Sequence, residues 1–200
     1  MEKLNKQWLN AGEKLMSLSE TTGAIKYGNF KLSSGKTSSY YFDGRLITLH
    51  PEGLQIVSSV FLPALRHLQA DSVAGPTIGA DPIIAGLVIT SSYSGNGVNG
   101  LIVRKEAKDH GMSKTIEGEL NAGKKVLIVD DTCSTGGSLV KAVKAIESQA
   151  CTVAGVLTIL DRNMGGREKI TNMGHKFASI LKVDSNEKIL VADFNSQIFI

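Results

Sequence analysis

The sequence predicts an α/β protein with a mainly parallel sheet covered by helices on both faces. Two observations predict it. Lys125 to Asp130 (KVLIVD) and Thr152 to Leu160 (TVAGVLTIL) are continuous apolar runs, the pattern of strands buried on both faces. Segments with helical spacing lie before and between them, so strands and helices alternate along the chain.

The elements follow in order. Trp8, Leu9, Leu15, Met16 and Leu18 recur at roughly helical spacing and predict an N-terminal surface helix. Phe30, Leu32, Tyr40 and Phe42 alternate around Ser33-Ser34-Gly35, which predicts short strands about a turn. A helix is expected to open near Pro51 and Glu52 and to run to about Leu68. Ser72 to Ala74 is a short strand candidate that ends in Gly75-Pro76. The next helix is expected to begin with Asp81 as N-cap and Pro82 as first helical residue. Gly100 to Arg104 reads as another strand, and Leu139 to Ile146 as an amphipathic helix. No repeat and no low-complexity tract interrupts this pattern.

Composition narrows the class. A chain of 200 residues buries roughly 70% of its unfolded surface, enough for a core without staples. Its net charge of +3 is too mild to argue for nucleic acid, and no separate basic motif is visible. Glycine is high, at 21 residues, as expected where tight turns approach ligands. Cys133 and Cys151 make no disulfide framework and no zinc pattern, so a reducing compartment is expected. The first 20 residues lack the apolar core of a signal peptide, and no apolar run reaches the ~18 residues of a membrane span. The expectation is therefore a cytoplasmic protein.

The most informative string is Val126 to Ser138, VLIVDDTCSTGGS. An apolar strand ends in two acids, and a loop of small and hydroxyl residues leads into a helix. Gly136 and Gly137 permit close backbone approach to a ligand. Ser134, Thr135 and Ser138 offer hydroxyls, and the helix turns its free amides toward the loop. A phosphate fits there. Asp130 and Asp131 would repel that phosphate, so they are expected to face vicinal ribose hydroxyls. GxxxxGK[ST] is absent, so this is not a P-loop.

The string resembles the phosphoribosyl-diphosphate signature of the type I phosphoribosyltransferases. The resemblance implies a Rossmann-like sheet with a small hood. It also implies binding of phosphoribosyl diphosphate (PRPP) by Asp130, Asp131, Thr132, Cys133, Ser134, Thr135, Gly136, Gly137 and Ser138. Val103 to Gly111, VRKEAKDHG, resembles the mobile catalytic loop of the orotate enzymes of this family. That implies catalytic and PRPP-binding roles for Arg104, Lys105, Lys108 and His110. Cations there would stabilise charge growing on the leaving diphosphate, and a lid would exclude water.

Three further regions carry the same resemblance. Phe30 to Arg45, FKLSSGKTSSYYFDGR, is similar to the N-terminal segment of orotate enzymes, which implies that Tyr41 and Phe42 flank the pyrimidine. Many relatives carry lysine where Ser33 stands. Gly75 to Pro82, GPTIGADP, is similar to a pyrophosphate-binding loop. Some relatives carry lysine where Gly79 stands, which leaves backbone amides to hold the diphosphate. Arg162, after TVAGVLTIL, matches an arginine that contacts the orotate carboxylate, and Ser134 would add a hydroxyl to the same base.

The resemblance runs from about Gly23 to Val183. It implies one domain over 1–200, with a core at about 51–162 and a hood from about 1–45 and 163–200. It implies a homodimer that shares the lid loop between subunits. Mg²⁺ is the implied cofactor, held mainly by PRPP and not by protein side chains. The implied reaction is orotate plus PRPP giving orotidine 5′-monophosphate and pyrophosphate, a step toward UMP. The alternatives are a phosphoribosyltransferase for another base and a non-catalytic PRPP sensor. The tail from about Asp184, ending NSQIFI, is unassigned.

Overall fold

Residues 2–31, 37–105 and 115–197 are described by a computed structural model. The chain opens with helix α1 (Glu2–Thr22) and a hairpin of β1 (Ile25–Lys31) and β2 (Thr37–Phe42). Short α2 (Arg45–Thr48) and long α3 (Pro51–His67) follow. Then β3 (Ser72–Pro76), α4 (Asp81–Tyr93), β4 (Asn99–Val103), β5 (Ile116–Glu117), β6 (Lys125–Cys133), α5 (Gly137–Glu147), β7 (Thr152–Asp161), α6 (Gly166–Asn172), β8 (Phe177–Val183) and β9 (Ile189–Val191) build the rest.

Among the described residues, seven strands form the main sheet in the order β5-β4-β3-β6-β7-β8-β9. The inner five are parallel, and short β5 and β9 run antiparallel at the edges. The side-chain alternation of β6 divides the core. Leu127 and Val129 face a cluster built with α1, α3 and α4. Val126 and Ile128 face a second cluster with Leu139, Val143 and Ile146 of α5 and Ile170 of α6. Both faces are thus covered, as the apolar runs predict.

The site is positioned by where the sheet splits. From β3 the chain crosses to β4 on one side, and β6 to β8 build outward on the other. Ligands of open α/β sheets bind beyond the strand ends at such a reversal. Here β3 pairs with β6 only through Ser72–Ala74 and Val126–Ile128. At Gly75 the strands lie too close for any side chain: a Cβ there would run into the Val129 carbonyl and Ala80. Beyond it the two backbones diverge and a crevice opens.

Two boundaries differ from the expectation. β6 does not stop at Asp130; it stays paired with β7 through Cys133 opposite Asp161. The ladder is backbone chemistry, so polar side chains did not end it. α4 begins one residue early, with Ala80 as N-cap and no side-chain cap. Asp81 is already helical, and its carboxylate accepts a hydrogen bond from Thr77 Oγ1 at 2.7 Å.

The sheet continues past residue 162 through β8 and β9, and the tail closes over α1. Trp8 is fully buried between Phe61 and Phe194, with ring centroids 5.9 and 4.7 Å away. Its indole N–H donates to the Ser179 carbonyl at 3.0 Å. Gln197 accepts from the Ser179 amide at 2.7 Å and donates to its carbonyl at 3.0 Å. Phe194→Ala should therefore lower stability by about 3–5 kcal/mol. Urea unfolding checks this, with Trp8, the single tryptophan, as the fluorescent probe.

Candidate active site

Asp130 and Asp131 form the floor of the crevice. Asp130 is buried, and its carboxylate accepts from the Asp131 amide at 2.9 Å and from Ser138 Oγ at 3.5 Å. Burial pushes the Asp130 carboxyl well above the usual carboxylate range, and the neighbouring Asp131 charge adds to it. Burial raises Asp131 as well, while the Asp130 hydrogen bond and the Arg45 charge pull it back.

Glycines make room for these carboxylates. A Cβ on Gly79 would lie 2.6 Å from Asp131 Oδ1 and 2.7 Å from Asp130 Oδ1. One on Gly44 would lie 2.7 Å from Asp131 Cβ. Backbone therefore approaches the acid pair from both sides. The result is a cleft of about 330 Å³, bordered by Tyr41, Arg45, Ile78, Lys105, Thr132 and Ser138. Opposite Asp131, Arg45 grips Asp43 through two bonds, of 2.9 and 3.1 Å.

The turn after β6 is fixed by α6. Gly136, at φ 75°, caps α5 in the left-handed region. It packs so tightly on Gly166 that a Cβ would fall 2.9 Å from the Gly166 Cα. The Gly166 amide donates to the Ser134 carbonyl at 3.0 Å, and Lys169 Nζ to the Thr135 carbonyl at 2.9 Å. With these carbonyls tied back, the exposed first turn at Gly137 and Ser138 presents the α5 N-terminus to solvent. Cys133 points the other way. Its thiol is buried under α6 and pushed up to about 12, chiefly by burial and then by Asp161 and Asp130. It is a neutral core group, and only its backbone borders the turn.

The sequence-predicted residues do not all meet in one place. Asp130, Asp131, Thr132, Ser138, Lys105, Tyr41 and Phe42 meet at the cleft. Tyr41 and Phe42 lie on opposite faces of β2, as adjacent strand residues must. Phe42 is in the core, whereas Tyr41 is exposed and packs 5.8 Å from Phe30. Arg162 borders a second cavity of about 280 Å³ with Tyr40, Met164 and Glu187. Arg104 pairs with Glu117 at 3.1 Å. Lys108, His110 and Ser33 lie outside the described residues.

Several site residues escaped the sequence reading. Gly44 follows the aromatic strand but carries no chemical signal of its own. Arg45 closed a quoted motif without a role. Tyr40 stood beside the pair that was singled out; the alternation of β2 marks it as inward only once register is fixed.

Asp43, Asp130 and Asp131 all border the cleft. Among the described residues, no group of three or more His, Cys, Asp or Glu is arranged to hold a metal ion.

A model of the phosphoribosyl transferase domain matches residues 79–187. Fold and site thus define a phosphoribosyltransferase. An orotate phosphoribosyltransferase of Aquifex aeolicus is 41% identical over 154 residues, 77% of this chain and 84% of the relative. The orotate phosphoribosyltransferase of Mycobacterium tuberculosis, solved with Fe(III) dicitrate, superposes with a TM-score of 0.74 at 32% identity, covering 88% of this chain and 97% of that one. The same enzyme solved with PRPP gives 0.67 at 26% identity, covering 89% and 90%. The chain belongs to the orotate phosphoribosyltransferase family.

The buried acid pair has a thermodynamic consequence. The folded-state pKa of Asp130 lies above its ordinary value of 3.8, so the folded state holds that proton longer. Stability then falls as pH rises from the ordinary value through the raised one. Asp130→Asn, which keeps an acceptor, is expected to raise the thermal midpoint at pH 7. The gain should vanish near pH 3, about a unit below the ordinary carboxylate range. Midpoints measured at both pH values check the sign.

Proposed function

We propose that this chain transfers the phosphoribosyl group of PRPP to orotate, giving orotidine 5′-monophosphate and pyrophosphate. The observation that carries the proposal is the buried acid pair at the sheet reversal, roofed by glycine backbone and followed by the capped turn into α5. The family relatives, and the M. tuberculosis enzyme solved with PRPP, support it.

Each part of the site has a role in that reading. The 5′-phosphate takes the turn from Ser134 to Ser138, with its hydroxyls and the first amides of α5. Asp130 and Asp131 accept from the ribose hydroxyls. Their raised proton affinity is relieved when donors arrive, so binding and desolvation are coupled. The amides around Gly79 and the Lys105 ammonium receive the diphosphate. Magnesium, when bound, neutralises diphosphate charge. Orotate is held by its carboxylate on Arg162, by the Ser134 hydroxyl, and by the exposed Tyr41 ring, with Phe42 in the core behind β2.

In the chemical step the C1–O bond to diphosphate breaks and orotate N1 supplies the electron pair of the new C1–N1 bond. Orotate reacts as an anion, so no strong protein base is required. Arg104, Lys105, Lys108 and His110 stabilise charge on the departing oxygens, and the lid excludes water.

The working unit in this reading is a homodimer with a shared lid. Helix α4 supports it: Ile83, Ile84 and Leu87 face the core, yet Ile89 and Tyr93 are exposed at 52% and 83%. A helix apolar on both sides asks for a partner. A cytoplasmic location is supported by two free cysteines. No described helix is long and apolar enough to cross a membrane.

Orotate absorbance, followed with PRPP and magnesium against adenine, hypoxanthine and uracil, tests the substrate. Turnover with orotate alone is expected; PRPP binding without turnover of any base would leave a sensor. Lys108→Ala should lower kcat by about 10²-fold and leave the thermal midpoint unchanged. A parallel fall in both would count against a lid role.

A further inference from the structure

We propose that Tyr40 is a positioning residue that sets the Arg162 guanidinium for the carboxylate of orotate. The inference rests on the reading of Arg162 given above and deepens it. Arg162 Nε donates to the Tyr40 hydroxyl at 3.2 Å. The guanidinium carbon also lies over the Tyr40 ring, 5.2 Å from its centroid. An arginine side chain has several free torsions, and these two contacts fix both the place and the plane of its head.

The contact uses the part of the fork that a carboxylate does not need. Among the described residues, Arg162 makes no other side-chain hydrogen bond. Its two terminal NH₂ groups are left for a planar, two-toothed grip on a carboxylate. Arg162 borders the 280 Å³ cavity, where one oxygen of each lining acid is already engaged. Glu187 Oε2 accepts from the Ser39 amide at 2.9 Å. Asp184 Oδ1 accepts from the amides of Asn186 and Lys188 at 2.9 and 2.8 Å.

Tyr40 is itself rigid. Its side chain is buried at 4% exposure on the inward face of β2. The bond from Ser39 to Glu187 pins the same strand one residue away. Burial raises the phenol, with the Arg162 charge opposing, so the hydroxyl stays neutral and available to accept from Nε. The contact joins the hood to the end of β7 across 122 residues of sequence, so the hood carries a specificity element and is more than a cover.

Steady-state kinetics of Tyr40→Phe, Arg162→Ala and the double variant test this. Tyr40→Phe is expected to raise KM for orotate by about tenfold, the scale of one lost charge-assisted bond. Values of kcat and KM for PRPP should stay within about twofold, inside the ~0.5 kcal/mol of a neutral change. On the Arg162→Ala background, Tyr40→Phe should add nothing, because the two act as one unit. An unchanged orotate KM in Tyr40→Phe overturns the proposal. So does an equal rise in KM for PRPP, or an effect that persists without Arg162, since either describes general hood packing. Wild-type protein that turns over another base and not orotate would overturn the parent reading, and this inference with it.

Discussion

Two adjacent carboxylates buried at one strand end are the constraint on which the rest of the site depends. Burying like charges side by side is unfavourable unless donors reach them. Among the described residues, the local donors are modest: the Asp131 amide and a long bond from Ser138 to Asp130, and the Thr132 side chain to Asp131, with the Arg45 charge nearby. The pair therefore holds unspent acceptor capacity. In the proposed reading, ribose hydroxyls supply what the protein withholds, which gives this cost a function. The geometry follows from it. Gly44 and Gly79 are required by the space the carboxylates occupy, and Gly75 by the close approach of β3 to β6 before the two separate.

The N-terminal hairpin borders the same cleft through β2. β2 sends Tyr41 outward and Tyr40 inward, so one strand contributes to two cavities. The strand is held at Ser39 by Glu187, in the turn between β8 and β9, and at Tyr40 by Arg162. Both anchors come from the C-terminal part of the sheet. α1 is fixed there as well, through Trp8 on Ser179 and Phe194. N-terminal and C-terminal segments thus stabilise each other, and the sheet end between them stays open.

Much of this was legible in the sequence, and the failures have physical reasons. Apolar runs marked β6 and β7, because strands buried on both faces need little else. Polar residues at 130–133 hid the true end of β6, since backbone pairing to β7 does not depend on side-chain polarity. FASILKV at β8 went unassigned although it is almost wholly buried; its alternation is masked by apolar residues on both faces. The acid pair and the turn after it were plain as a string. Arg45 and Tyr40 were not, because their roles arise from contacts that only the folded register creates.

The glycine at 79 shows how one local constraint propagates. Some relatives place lysine there, yet in this chain a Cβ in that direction meets both carboxylates. A longer side chain could enter only if the acid pair moved. The cations that border the cleft come from other elements: Arg45 from α2, below the hood, and Lys105 from the end of β4. Neither is a rigid neighbour of the acids. Arg45 is bound to Asp43 and largely exposed, and Lys105 is exposed beyond the end of β4. In the proposed reading, charge on the diphosphate is therefore met by side chains from the segments around the crevice, not by one built beside the acids. In the proposed reading, with the segment after Lys105 as the lid, charge stabilisation and exclusion of water would depend on the same piece of chain.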